Sequence, residues 1–318
     1  MSSSPFENVR WVWMNGRLVE FEKATVHVMA HALHYGSGLF EGIRCYKTRQ
    51  GPAVFRLPEH LKRLENSCKV YRMDIPFDRP TMTQAVFETI RSNELEECYI
   101  RPIAFRGFGT AGINPLKSPV EVAIAVWPWG RYLGDDAMDQ GVDACVSTWR
   151  RMGLAGSPAL AKATGNYLNS QLIKMEAIGN GYAEGIALDT HGYVSEGSGE
   201  NIFLVQDGVV FTPPVSSSIL PGITRNAVIT LAEEAGLRVR RDAIPRGMLY
   251  TCDEAFFTGT AVEITPIRSV DRMPVGDGRP GPVTRKLIDE FLALTRGEKP
   301  DRHGWLSPVP LAVAEAAG

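Results

Sequence analysis

The sequence has no excess of positive charge and no cluster of basic residues. Its 318 residues include 34 Lys and Arg against 36 Asp and Glu, which gives a formal net charge of -2. Binding to nucleic acid or to an anionic membrane surface generally needs a basic patch, so we expect neither partner. The sequence also lacks any run of roughly 18 apolar residues, the length that a membrane-spanning helix requires.

Cysteine is scarce and dispersed. The five residues are odd in number, widely separated and never arranged as C-x-x-C. This pattern argues against a disulfide framework and a zinc knuckle, so we expect free thiols and no bound metal. The first eight residues lack the apolar core of a secretion signal. A reducing cytoplasm is therefore the expected location.

What the chain does have is the length and composition of two folded domains, with 44% hydrophobic and 22% charged residues. The segment Pro128–Asp136 is rich in turn formers and charge, which is typical of a domain boundary. We predict a small N-terminal domain over 1–130, an interdomain loop over 131–137 and a large C-terminal domain over 138–318.

Hydrophobic periodicity predicts an α+β fold in two lobes. Asn15-Gly16 suits a type I′ turn between two strands, and the spacing of Leu61, Leu64 and Cys68 predicts a helix from Pro58 onward. A second helix is predicted over 82–92, and strands over 98–105 and 120–127. The second half alternates short strands with tight turns, and an amphipathic helix is predicted directly after Gly222.

Lys162 lies in an unusual stretch, Ala159-Leu-Ala-Lys162-Ala-Thr-Gly165-Asn-Tyr167, where small residues surround a single charge. The acidic i+4 partner expected on a solvated helix face is missing. Small neighbours would let a flat ligand reach the amine, and a lysine with a depressed pKa suits Schiff-base chemistry. Taken alone, the stretch fits a solvent-exposed loop lysine better, so the rest of the sequence must decide.

Glu196 follows in a Gly/Ser-rich turn, Tyr193-Val-Ser-Glu196-Gly-Ser-Gly-Glu200-Asn201. Glycine allows a ligand to approach the backbone closely. Pyridoxal phosphate needs a carboxylate beside its ring nitrogen, because the protonated ring is the better electron sink. Glu196 fits that task, and an ordinary polar hairpin residue is the alternative.

Two further segments offer phosphate-binding groups. Ser217–Arg225 leads into the amphipathic helix, whose free N–H groups and Thr224 hydroxyl would suit an anion. Phe257-Thr-Gly-Thr260-Ala261 is a strand that runs into a turn of small residues. By itself the first segment is equally well a threonine cap.

Together these segments resemble the class IV aminotransferases, which are fold-type IV pyridoxal-phosphate enzymes. The resemblance rests on Glu196–Phe203, Val210–Thr212 and Leu220–Arg225, and extends from about Trp13 to Leu306. The bacterial branched-chain members are the most similar, through the stretches His27–Gly36, Phe40–Tyr46 and Tyr99–Pro102. The resemblance implies a homodimer or larger homo-oligomer, with the active site between the lobes and completed by the partner subunit.

The resemblance also implies how pyridoxal 5'-phosphate would be held. Lys162 would bind it as a Schiff base and then move the proton between Cα of the substrate and C4′ of the cofactor. Glu196 would bind the pyridine nitrogen and Tyr167 the phenolic oxygen. The remaining cofactor-binding residues would be Arg63, Ile223, Thr224 and Thr260 at the phosphate and Leu220 against the ring.

On the substrate side, the resemblance implies an apolar pocket formed by Tyr35, Phe40, Trp129 and Tyr132. The α-carboxylate would meet Tyr99, Thr260 and Ala261. A ping-pong cycle between L-leucine, L-isoleucine or L-valine and 2-oxoglutarate must place an apolar side chain and then a distal carboxylate in the same pocket. Arg101 at the pocket rim would pair with that carboxylate.

Two alternatives stay open. A D-amino-acid or (R)-amine aminotransferase, or an aminodeoxychorismate lyase, would share the fold, although Tyr35 and Arg101 favour the branched-chain enzyme. A catalytically silent cofactor-binding or scaffold protein would need neither Lys162 nor Glu196. Thr164, Arg106 and Phe108 depart from the bacterial pattern; the last two lie in a loop resembling one that reaches a neighbouring active site, so the side-chain preference is left open.

Overall fold

The computed structural model describes residues 4–130, 133–134 and 136–310. The strands are β1 (Trp11–Met14), β2 (Arg17–Glu20), β3 (Gly38–Phe40), β4 (Ile43–Thr48), β5 (Gly51–Phe55), β6 (Cys98–Arg106), β7 (Val120–Trp127), β8 (Val142–Val146), β9 (Glu184–Leu188), β10 (Val194–Gly197), β11 (Asn201–Gln206), β12 (Val209–Thr212), β13 (Arg238–Arg241), β14 (Glu254–Gly259), β15 (Glu263–Val270), β16 (Met273–Pro274) and β17 (Leu306–Pro308). The α-helices are α1 (His31–Tyr35), α2 (Leu57–Val70), α3 (Arg79–Ser92), α4 (Ala137–Gln140), α5 (Tyr167–Gly179), α6 (Ile223–Glu234) and α7 (Pro282–Thr295).

Two compact units divide the chain, and each has its own sheet. The first comprises the described residues of Met1–Trp129 and Ala293–Gly318, and the second those of Gly130–Leu292. The sequence prediction placed all of 138–318 in one domain, whereas 293–310 belong to the first unit. The reason is a long-range pairing, Leu306 opposite Phe55, that joins β17 to β5. Local sequence patterns do not report such pairing.

The first unit is an eight-stranded sheet in the order β17-β5-β4-β6-β7-β1-β2, with β3 paired to β6. β1 and β2 form the predicted hairpin, and Asn15 and Gly16 both have the positive φ of a type I′ turn. The helices predicted from Pro58 and over 82–92 are α2 and α3. The buried side chains Leu61 and Leu64 of α2 confirm the helical spacing seen in the sequence.

The second unit is a nine-stranded sheet in the order β10-β9-β8-β15-β14-β11-β12-β13, with β16 paired to β15. β11 and β14 run antiparallel within it, where the rings of Phe203 and Phe256 stack at 5.0 Å between centroids. α6 is the amphipathic helix predicted after Gly222, and it packs against β13 and β14. Most strand pairs are antiparallel, with parallel pairs at β8–β9, β8–β15 and β12–β13, and this mixture of helices and strands is the α+β architecture expected from the sequence.

The described helices include none that is long and apolar enough to cross a membrane. In the same residues, no three His, Cys, Asp or Glu side chains are grouped so that they could hold a metal ion.

Candidate active site

Lys162 is held in a short irregular segment just before α5. The Asn166 amide donates a hydrogen bond to the Ala161 carbonyl at 3.2 Å, and the Ser157 hydroxyl donates to Asn166 Oδ1 at 2.7 Å. These bonds fix the backbone on the N-terminal side of the lysine. Lys162 Nζ donates to the hydroxyl of Tyr167 at 2.5 Å. The amine is therefore directed at the first residue of α5 and does not point freely into solvent.

Glu196, on β10, is buried with 8% of its surface exposed. Its Oε2 accepts hydrogen bonds from the Asn201 amide at 3.0 Å and the Leu220 N–H at 3.1 Å. Its Oε1 lies 3.3 Å from Nε of Arg151. Burial raises the pKa of Glu196, and the charge of Arg151 is the largest influence in the opposite direction, followed by the Leu220 N–H and the charge of Lys162. The carboxylate and the amine thus lie close enough to interact electrostatically.

The N-terminus of α6 is tied to this carboxylate through Asn201. The Asn201 amide, which binds Glu196, also donates to the Leu220 carbonyl at 2.9 Å. A Cβ on Gly222 would lie 2.0 Å from Asn201 Oδ1, so a larger residue there would have to displace the Asn201 side chain that binds Glu196. Ile223 and Thr224 follow as the buried first residues of the helix. The first N–H groups of a helix have no partner within it, which makes this end suitable for binding an anion.

Strand β14 runs antiparallel to β11, with Thr258 opposite Asn201. The hydroxyl of Thr258 is buried and has no hydrogen-bond partner in the described part of the chain. Thr260 and Ala261 follow in the turn between β14 and β15, and both are partly exposed. The predicted site residues of the second unit are Lys162, Tyr167, Glu196, Leu220, Ile223, Thr224, Thr260 and Ala261.

In the first unit, aromatic rings surround the guanidinium of Arg101. Its Cζ lies 4.8 Å from the ring centroid of Phe40, 5.2 Å from that of Tyr99 and 5.5 Å from that of Trp127. Its Nη2 lies 3.4 Å from the Tyr99 hydroxyl, and its Nε is buried with no hydrogen-bond partner in residues 4–130, 133–134 and 136–310. Among the described residues, no carboxylate lies within 4.0 Å of this guanidinium. Arg101 is thus a half-buried cation with no counter-charge among the residues that the structure describes, which leaves it able to bind an anion.

The position of Trp129 is fixed by two neighbours. Arg44 Nη2 donates to the Trp129 carbonyl at 2.8 Å, and the rings of Tyr99 and Trp129 meet edge-on at 4.5 Å. Gly42 lies against the same cluster, and a Cβ there would lie 1.9 Å from the Tyr99 hydroxyl. The structure thus brings together four of the predicted substrate residues, namely Phe40, Tyr99, Arg101 and Trp129.

Arg63 is bound by a buried carboxylate. Its Nε and Nη2 donate to the two oxygens of Glu41, each at 2.7 Å, and His60 Nδ1 lies 2.7 Å from Glu41 Oε2. Burial alone would raise the pKa of Glu41, but the charge and hydrogen bonds of Arg63, with those of His60, hold it at about 2. The Glu41 carboxylate fixes the direction of the guanidinium that the sequence assigned to phosphate.

Tyr35 does not join the aromatic residues around Arg101 in the described part of this chain. It is 50% exposed, and its ring contacts are with His31 and His34. Tyr132 lies outside the described residues. Phe108 is also exposed and packs on the ring of His27 at 4.4 Å between centroids.

Arg106 has a structural task. It is buried and donates to the backbone carbonyls of Ser118 at 3.0 Å and Arg72 at 2.6 Å, which fastens the loop after β6 to the segment after α2. Thr164 lies in a 3-10 turn directly after the lysine segment.

Sequence reasoning assigned no role to Arg151, Glu41 or Trp127. Arg151 acts on a carboxylate 45 positions further along the chain, and Glu41 acts on an arginine 22 positions away, so no local pattern reports either pair. Trp127 had a usable signal. Pairing β6 with β7 as neighbouring antiparallel strands places it opposite Tyr99.

Comparison with known proteins agrees with this geometry. Residues 38–270 match the family described as amino-transferase class IV. The branched-chain-amino-acid aminotransferase of Salmonella typhimurium is 52% identical over 300 residues, which cover 94% of this chain and 97% of that protein. The crystal structure of the Escherichia coli branched-chain amino acid aminotransferase has a TM-score of 0.94 at 51% identity, covering 95% of this chain and all of that one.

A third match is a structure of the PLP form. The branched-chain amino acid aminotransferase from Thermobaculum terrenum, described as the holo-form, has a TM-score of 0.90 at 37% identity, covering 96% of this chain and 100% of that one. A family match over most of the chain, together with relatives of this identity over nearly its whole length, settles the relationship. The protein belongs to the class IV aminotransferases.

Proposed function

We propose that the protein is a branched-chain-amino-acid aminotransferase that uses pyridoxal 5'-phosphate. It transfers the amino group between L-leucine, L-isoleucine or L-valine and 2-oxoglutarate in a ping-pong cycle. The observation that carries the substrate assignment is the guanidinium of Arg101, which lies among three aromatic rings without a carboxylate partner in the described part of the chain. Aromatic walls suit a branched aliphatic side chain, and the cation suits the distal carboxylate of glutamate.

The residues of the second unit fit the cofactor. The buried Glu196 offers a carboxylate to a ring nitrogen, Lys162 offers a primary amine, and Tyr167 offers a phenol beside it. The start of α6 offers N–H groups and the Thr224 hydroxyl to a phosphate. When bound, pyridoxal phosphate supplies an aldehyde for the amino group and a protonated ring that withdraws electrons from Cα.

Lys162 is the attachment point and the proton-transfer group. Its hydrogen bond to Tyr167 and the Asn166 bonds on the preceding segment hold Nζ in one place, so that it can take a proton from Cα and deliver it to C4′. We assign the phenolic oxygen of the cofactor to Tyr167. Because Lys162 Nζ and the Tyr167 hydroxyl share a hydrogen bond, both groups would be available to the same bound cofactor.

Glu196 holds the proton on the ring nitrogen. The three groups that contact its carboxylate, namely Asn201, the Leu220 N–H and Arg151, favour its ionised form against the cost of burial. A charged carboxylate at this place stabilises a protonated ring, which is the form that activates Cα. Leu220, whose N–H is fixed by Glu196, is assigned to the face of the ring.

The cofactor phosphate is assigned to Ile223 and Thr224 at the start of α6 and to Thr260. Arg63 is assigned to the phosphate as well, on the family resemblance, and Glu41 would hold it in direction. At the substrate, the α-carboxylate is assigned to Tyr99, Thr260 and Ala261. The side-chain pocket is assigned to Tyr35, Phe40, Trp129 and Tyr132.

A coupled assay tests the substrate assignment. L-leucine, D-alanine and (R)-1-phenylethylamine are compared as amino donors with 2-oxoglutarate as the acceptor. We expect L-leucine to be preferred. A preference for D-alanine or for the amine would overturn the branched-chain assignment and would favour the related D-amino-acid or (R)-amine aminotransferases.

We also propose that the enzyme is a homodimer or a larger homo-oligomer. Large apolar side chains are exposed in both units, among them Val28 and Ile113 in the first and Leu168 and Ile178 in the second. Large exposed apolar side chains of this kind are candidates for burial in an interface between subunits. Light scattering with size-exclusion chromatography measures the assembly, and a monomer would contradict it.

The five buried free thiols fit a reducing cytoplasm.

A further inference from the structure

Three buried glutamates lie around the turn that follows Glu196, and only two of them have a cation among the described residues. Glu184 on β9 accepts a hydrogen bond from Lys174 Nζ at 2.8 Å, and Glu196 faces Arg151 at 3.3 Å. Glu200 is 6% exposed, and in the described part of the chain no Lys, Arg or His side chain lies within 4.0 Å of its carboxyl group. An ionised carboxylate buried without a partner is costly, so Glu200 keeps its proton.

The backbone of this turn is bound from both sides. The N–H of Ser198 donates to Glu184 at 3.3 Å, and the N–H of Gly199 donates to Glu200 Oε2 at 3.0 Å. From the other side, Arg151 Nη2 donates to the carbonyls of Gly197 at 2.6 Å and Ser198 at 2.8 Å. The turn is therefore held by three buried side chains, namely the carboxyl groups of Glu184 and Glu200 and the guanidinium of Arg151.

Glu196 cannot move independently of this turn. It directly precedes Gly197, and Asn201, which directly follows Glu200, donates to its carboxylate at 3.0 Å. The Gly197 N–H closes the turn by donating to the Glu200 carbonyl at 2.7 Å. A change at the Glu200 side chain is therefore transmitted to the Glu196 carboxylate both through the turn and through Asn201.

We infer that Glu200 in its protonated form is a positioning residue for Glu196, and that loss of its proton loosens the turn and weakens cofactor binding. The inference rests on the proposed function of Glu196 as the partner of the cofactor ring nitrogen. The neutral acid accepts the Gly199 N–H with one oxygen and keeps its proton in the neighbourhood of the negative Glu184. Once ionised, it would place a second negative charge beside Glu184, where the two nearby cations, Lys174 and Arg151, already pair with Glu184 and Glu196.

The charged and titratable groups that face Glu200 come from three parts of the second unit. Glu184 faces it from β9, Lys174 from α5 and Arg151 from the segment after β8. Strand β14 presents Phe257 and Gly259 there, and neither titrates. Burial is the main cause that raises the pKa of Glu200 to about 8, and the charge of Glu184 is the second. A pKa of about 8 lies in the pH range in which the folded protein can be titrated.

The decisive experiment compares the apoprotein with its Glu200→Gln variant, which mimics the protonated acid in shape and charge. Pyridoxal phosphate is titrated into each protein across roughly pH 6 to 10, and the dissociation constant is read from the bound-cofactor absorbance. For the unaltered protein we expect an added weakening of up to about tenfold per pH unit above the Glu200 pKa, relative to the variant. Glu233→Gln is the control, since Glu233 forms an exposed ion pair with Arg241 in the same unit.

Two measurements on the apoprotein do not depend on the cofactor. The infrared band of a protonated carboxylic acid should be present at neutral pH, fade at alkaline pH and be missing in Glu200→Gln. Because the folded-state pKa is raised above the value of 4.5 for the free group, the thermal stability of the unaltered protein should fall as the pH rises from 4.5 to about 8, and the variant should lack this part of the slope.

The outcomes distinguish a failure of the inference on Glu200 from a failure of the proposed function. If Glu200→Gln shows the same alkaline loss of affinity as the unaltered protein, or if the infrared band is missing at neutral pH, the inference on Glu200 is wrong. If the infrared and stability results hold but neither protein binds pyridoxal phosphate, the proposed function fails and the protonation of Glu200 stands. The infrared titration of the unaltered protein remains decisive even if the variant fails to fold.

Discussion

Replacing Arg101 with methionine separates the two halves of the proposed reaction. Methionine keeps an unbranched stem of similar shape among the rings of Phe40, Tyr99 and Trp127, but it removes the charge. A hydrogen-bonded pair between charged groups contributes about 1.5 to 3 kcal/mol, and each increment of about 1.4 kcal/mol is a factor of ten. Arg101→Met should therefore reduce kcat/KM for L-glutamate by about 10- to 100-fold. L-leucine brings no second carboxylate, so its kcat/KM should change by less than about threefold.

The assay follows each half-reaction separately, with one amino donor and no acceptor, through the absorbance of the bound cofactor. Loss of the cation–π contacts also destabilises the fold by an amount on the order of 1 to 3 kcal/mol, which a thermal melt measures independently. Arg17→Met is the control, because Arg17 is an exposed arginine on β2 of the same unit. Equal losses for L-glutamate and L-leucine would refute the assignment of one pocket to two kinds of side chain.

Three further predictions concern single residues. Lys162→Ala should abolish the visible absorption of the bound cofactor, and a band that persists in the variant would exclude Lys162 as the attachment point. Glu41→Gln should destabilise the protein by about 3 kcal/mol at neutral pH, because the pKa of Glu41 is held at about 2 against an ordinary 4.5 and each unit contributes about 1.4 kcal/mol. The lowered pKa stabilises the fold above pH 4.5, and this contribution is lost as the pH falls through 2. Urea titrations should therefore show that the difference in unfolding free energy between the two proteins shrinks in acid. A difference independent of pH would contradict the ion pair with Arg63. Gly42→Ala should raise KM for amino donors, because its Cβ would displace the Tyr99 hydroxyl, and an unchanged KM would show that Tyr99 does not contact substrate.

Sequence periodicity was sufficient for elements whose stability is local. The Asn15-Gly16 turn and the spacing of Leu61 and Leu64 predicted the β1–β2 hairpin and α2, and the structure has both. A turn needs only residues that tolerate positive φ, and a helix needs only an apolar face at the right spacing. Residues 293–310 lie in the first compact unit, apart from the domain that the sequence predicted for them, because β17 pairs with β5, a strand from the first fifth of the chain.

The candidate site likewise has features that the sequence determines and features that only folding determines. The sequence by itself determined which chemical groups are present, because Lys162, Glu196 and the start of α6 lie in segments with recognisable local composition. It could not determine the state of those groups. Arg151 places a charge beside Glu196, and in the described part of the chain no cation lies within 4.0 Å of the Glu200 carboxyl group, only because folding buries these residues together.

The residue types and their order therefore determined the family of this protein and indicated Lys162 as the candidate attachment point of the cofactor. The tertiary structure decided that Arg101 lies among aromatic rings, that Glu41 directs Arg63, and that Glu200 is buried beside a second glutamate. The physical reason is that the energy of a charge depends on its solvation and on the distance to other charges. Both are set by residues that are far apart in the sequence and become neighbours only on folding.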